Sequence, residues 1–114
     1  RFLALLALAS SPAVWAHAFL DHAEPRVGAS VGHAPERVTL WFTQPLEAAF
    51  SWVKVYDASG RQVDRGDKSL EGDASVMRVS VRALAPGKYR VAWRVLSTDA
   101  HVTEGDFTFG LFRL

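Results

Sequence analysis

Three features of the sequence predict an all-β fold, an antiparallel β-sandwich of about seven short strands. Apolar and polar residues alternate over several short segments, the pattern of half-buried strands. Turn-forming pairs such as Glu24-Pro25, Gln44-Pro45 and Pro86-Gly87 punctuate those segments. No stretch of helical period reaches about ten residues. A small Greek-key barrel is the competing arrangement.

His17–Ala23 reads as a short extended opening, followed by a loop that holds Gly28 and Gly32. Arg37–Phe42 alternates with Val38, Leu40 and Phe42 on one side and Arg37, Thr39 and Trp41 on the other. Leu46–Phe50 fits one turn of helix or a bulged connection. Phe50–Tyr56 is a strand with Val53 and Val55 opposite Trp52, Lys54 and Tyr56, and Asp57-Ala58-Ser59-Gly60 turns the chain. Arg61–Ala74 is polar and of mixed charge, which predicts a loop or weak edge hairpin on a solvated face and carries no assigned function. Ser75–Val81 is a strand whose phase breaks at Met77. Lys88–Leu96 and Asp106–Phe112 give the clearest strands, with Trp93 in phase with Val91 and Val95 and so in the core. Trp41, out of phase with Val38 and Leu40, faces outward.

Composition narrows the functional classes. With 49% hydrophobic and 22% charged residues, the 114-residue chain is an ordinary globular one rather than a disordered one. A formal charge of +1 with both signs interspersed argues against nucleic acid as a partner. The chain has no cysteine and one methionine, so thiolate metal sites are excluded and Met77 is the one thioether on offer. No apolar run approaches the roughly 20 residues that cross a bilayer.

The N-terminus reads as a secretory signal peptide: Arg1, the apolar run Phe2–Ala9, a break at Ser10-Ser11-Pro12, then Val14-Trp15-Ala16 with small residues at the cleavage positions. The predicted organisation is therefore a leader over residues 1–16 and one domain over residues 17–114. Cleavage after Ala16 leaves roughly 100 residues, enough for one core without disulfides. Cleavage after Ala18 also obeys the small-x-small rule. Only the first alternative makes His17 a free N-terminus.

Candidate metal ligands are Asp99, His101 and His17. Asp99 and His101 stand two apart in a polar crossing between strands, and in an extended segment such residues share a face. A carboxylate with an imidazole suits a borderline transition metal better than calcium or magnesium. A histidine at a free N-terminus adds its α-amine and Nδ1 at little ordering cost, because both donors sit on one residue. Three nitrogens and one oxygen favour Cu(II), with zinc the second choice. The plainer reading of Asp99 is that it caps the turn at Ser97-Thr98. His22 lies close enough to the chain start to assist His17; His33 has no partner spacing.

The segments HAEPRVGASV, ERVTLWFTQPLE and LAPGKYRVAWRVLSTDAHVTEGDFTF, together with a leader cut before histidine, resemble the CopC family of periplasmic copper-binding proteins. The resemblance spans the chain after the leader. It implies a Greek-key β-sandwich of the cupredoxin or immunoglobulin-like kind and a Cu(II) site at His17, Asp99 and His101. It further implies no catalytic turnover and hand-over to an inner-membrane copper protein of the CopD type. The chain departs from the family pattern at Ala100, where glycine is usual, at Val102, where proline is usual, and at Gln44, where some members are acidic. A methionine-rich Cu(I) loop is absent. Two rival functions are a copper oxidative enzyme, since polysaccharide oxygenases also use an N-terminal histidine, and a metal-free interaction module.

Overall fold

The computed structural model describes residues 18–112; the leader, His17 and the last two residues lie outside them. Eight strands run in order: β1 (Leu20–Glu24), β2 (Ser30–Val31), β3 (Arg37–Phe42), β4 (Trp52–Tyr56), β5 (Ser69–Glu71), β6 (Val76–Ser80), β7 (Gly87–Leu96) and β8 (Val102–Leu111). A 3-10 turn at Ala48–Phe50 precedes β4, where one helical turn was expected. The strands form two four-stranded sheets, β1-β3-β6-β5 and β2-β8-β7-β4. All pairings are antiparallel except the two-residue β2–β8 contact, which is parallel. That contact falls within the glycine loop, which has too few residues between Gly28 and Gly32 to show alternation.

The sandwich closes because each sheet has one apolar face. Val38, Leu40 and Phe42 from β3 meet Val91, Trp93 and Val95 from β7, and all are buried. Phe42 and Trp93 pack edge to face, with ring centroids 5.2 Å apart. Trp93 fits only because its cross-strand partner is Gly105. A Cβ at Gly105 would lie 2.7 Å from the indole. The indole N–H is buried and lacks a hydrogen-bond partner among the described residues.

Three details differ from the sequence reading. β6 has no break at Met77, because Met77 and Val79 both point inward and Val76 is the half-buried residue out of phase. β8 begins at Val102 rather than Asp106. Its first half carries Thr103, Glu104 and Gly105 on positions that are not fully buried, so no apolar alternation marks it. Arg61–Ala74, expected to be a solvated loop or weak edge hairpin, supplies the edge strand β5 that pairs with β6 beyond it, and its Asp64 is buried. The Asp64 carboxylate accepts from the backbone N–H of Val55 at 2.8 Å.

Candidate metal centre

β7 and β8 pair over ten residues, from Gly87–Leu111 to Leu96–Val102. This long ladder delivers the connection Ser97–His101 rigidly to one end of the sandwich. The connection is closed by backbone bonds from Ser97 N to His101 O and from Ala100 N to Ser97 O, both 2.9 Å. Ala100 carries φ +73°, the left-handed region where a side chain is strained. Asp99 and His101 are therefore neighbours across a turn, not on one face of a strand. The expected proximity is correct, but its cause is different.

His101 Nδ1 lies 3.3 Å from Asp99 Oδ1, and each side chain is 43% exposed. Donors bonded to one metal at roughly 2.0–2.2 Å subtend about this spacing, so the pair fits a common transition ion. Ser97, only 1% exposed, organises both side chains. Its hydroxyl donates to Asp99 Oδ1 and accepts from the His101 backbone N–H at 3.2 Å. The Asp99 carboxyl is held below the usual carboxylate range, chiefly by the Ser97 hydroxyl; desolvation opposes this, and the neighbouring His101 adds a further lowering. A carboxylate already ionised and pre-aimed is ready to ligate without losing a proton. The turn role and the ligand role of Asp99 are thus compatible, since Ser97 supports both.

The first described residues are fastened beside this turn from both sheets. Ala18 is fully buried, and its carbonyl accepts a 2.6 Å bond from Thr103 Oγ1 of β8. Phe19 N donates to Thr43 Oγ1 and Thr43 N donates to Phe19 O, each at 2.9 Å, just beyond the end of β3. Among the described residues no group of three or more His, Asp, Glu or Cys side chains converges. His17, the predicted third ligand, lies outside them.

The remaining described histidines lie elsewhere. His22 Nδ1 sits 2.6 Å from Asp21 Oδ2, and its ring stacks on Trp41 at 4.3 Å. Trp41 faces away from the core as expected. His33 lies between β2 and β3, and β2 pairs with the far end of β8 at Gly110 and Leu111. Ser97, Thr103 and Ala18 escaped the sequence reading. Their roles come from hydrogen bonds that span folding contacts, and a serine, threonine or alanine carries no motif for that.

A CopC domain family model matches residues 20–112. Protein YobA of Escherichia coli K12 is 37% identical over 103 residues, covering 89% of this chain and 83% of that protein. Copper resistance protein C of Pseudomonas syringae pv. tomato is 30% identical, covering 82% and 79%. The crystal structure of CopC from Methylosinus trichosporium OB3b superimposes with a TM-score of 0.79 at 33% identity, over 85% of this chain and 95% of that one.

Proposed function

This chain belongs to the CopC family, and on that premise we propose that it is a periplasmic Cu(II)-binding protein that carries or buffers copper for copper resistance, without catalytic turnover. A relative named copper resistance protein C supports the copper assignment. In this reading export and cleavage after Ala16 free the His17 amine. His17 then contributes that amine and Nδ1, His101 an imidazole nitrogen and Asp99 a carboxylate oxygen. Copper is cargo, and hand-over is to an inner-membrane protein of the CopD type.

One observation carries the reading. The buried Ala18 is bonded through its carbonyl to Thr103, two positions from His101, and His17 is the next residue toward the N-terminus. The donor set supports the oxidised ion, since it holds nitrogen and oxygen and the chain offers a single thioether. A histidine and an amine must lose protons to ligate, so affinity falls as the pH drops.

Mass spectrometry of the exported protein tests the N-terminus. Cu(II) titration followed by d–d absorption and electron paramagnetic resonance tests the site. Equal spectra from wild type, His17→Ala and His101→Ala would refute it.

A further inference from the structure

At the end of the first sheet away from the Ser97–His101 turn, where β3 begins and β6 ends, an open groove of about 620 Å3 is lined by Arg37, Arg65, Arg78 and Arg82. Four arginines gather there in a chain whose formal charge is only +1. They come from different parts of the sequence: the start of β3, the segment before β5, β6 itself and the residues after it. No charge run in the sequence announces the cluster.

The groove also contains Glu36 and Asp67. Asp67 is turned to structural use, accepting from the Ser80 backbone N–H at 2.9 Å and from the Ser80 hydroxyl. Arg78 is committed to Glu71 and to Thr39 Oγ1. Arg37, Arg65 and Arg82 are exposed and form no ion pair among the described residues. The outer face of the other sheet behaves differently. There Arg90 pairs with Asp106 and Arg94 with Glu104 across β7 and β8.

We propose that this groove binds an anion bearing two or more phosphate groups. Guanidinium forks match phosphate oxygens in bidentate geometry, and several forks converging from separate elements favour a ligand of high charge over a single carboxylate. The volume exceeds what one phosphate fills. The phosphate chemistry has two sources, a soluble oligophosphate or clustered phospholipid headgroups. In the second case the protein would sit with its Asp99–His101 turn directed away from the bilayer. The proposal is independent of the metal site.

The test uses copper-free protein, so that phosphate cannot act by chelating metal. Calorimetric titration with sodium tripolyphosphate is run beside co-sedimentation with phosphatidylglycerol vesicles and with phosphatidylcholine vesicles. The expected result is binding to tripolyphosphate or to the anionic vesicles, weakened by salt. The Arg37→Gln/Arg82→Gln protein is expected to lose at least about tenfold in affinity at an unchanged melting temperature, whereas Arg90→Gln/Arg94→Gln retains it. Arg65→Gln supplies a second, independent variant. Tripolyphosphate binding alone assigns a soluble ligand, and binding to anionic vesicles alone assigns headgroups. No binding to either, or equal losses in the two double variants, overturns the proposal.

Discussion

The Thr103 hydroxyl donates a 2.6 Å hydrogen bond to the carbonyl of Ala18, joining β8 to the start of the described chain two residues past His101. If copper is held between the chain start and the Asp99–His101 turn, Thr103 is a positioning residue for it. Thr103→Val keeps the shape and removes the donor. The lost bond is worth about 0.5–1.5 kcal/mol, so Cu(II) affinity should fall by up to about tenfold in a competition titration. The d–d spectrum should stay that of wild type, because no ligand is removed. An affinity equal to wild type would mean that the chain start is held in place by other contacts.

Much of this arrangement is legible in the sequence, and the illegible parts share a cause. The inward face of β3 was legible because Val38, Leu40 and Phe42 alternate and are all buried, whereas Thr39 on the opposite side is buried as well, which its residue type does not signal. That Asp99 and His101 lie close together could be expected from their spacing, although a turn and not a strand face brings them together. The start of β8 was not legible, because Gly105 gives up its side chain to make room for Trp93, which erases the alternation there. Ser97, Thr103 and the arginine groove were hidden for a related reason. Each acts through partners distant in the chain, or through a backbone turn, and local pattern does not encode those partners.

Ala100 tests the backbone of the Ser97–His101 turn. Its φ of +73° costs an L-residue about 1–2 kcal/mol relative to the right-handed region. Glycine avoids that cost but loses more freedom on folding, about 0.5–1 kcal/mol. Ala100→Gly should therefore stabilise the protein by up to about 1 kcal/mol in urea unfolding. A destabilised Ala100→Gly protein would show that the left-handed geometry is not what governs this position.

Gly105 is the reverse case. There a methyl group would collide with the buried Trp93 ring at 2.7 Å, and the indole is wedged against Phe42. Overpacking of this kind costs about 1–3 kcal/mol. Gly105→Ala should lower the urea midpoint accordingly and change the near-ultraviolet circular dichroism of the tryptophan. Gly110, also on β8, has only Ser30 Oγ near a built Cβ, at 3.9 Å. Gly110→Ala is the matched control and should be far milder.

Ser97 links the ionisation of Asp99 to the geometry of the site. Its hydroxyl is the largest cause holding the Asp99 carboxyl below the ordinary range. A depressed carboxyl contributes stability that is fully present above the ordinary carboxylate pKa and is lost as pH falls through the folded-state value. Removing the hydroxyl in Ser97→Ala should raise the Asp99 titration midpoint, read from its carboxyl 13C shift. Acid unfolding should correspondingly begin at a higher pH. If Asp99 ligates copper as proposed, protons would also compete for the carboxylate sooner, and copper release on acidification should move to higher pH in the variant. Because Ser97 is buried, a lower melting temperature alone would fit a purely structural role. The titration separates the two: an Asp99 midpoint unchanged in Ser97→Ala would remove Ser97 from the control of this ligand and leave it only as a hydrogen-bonded closure of the turn.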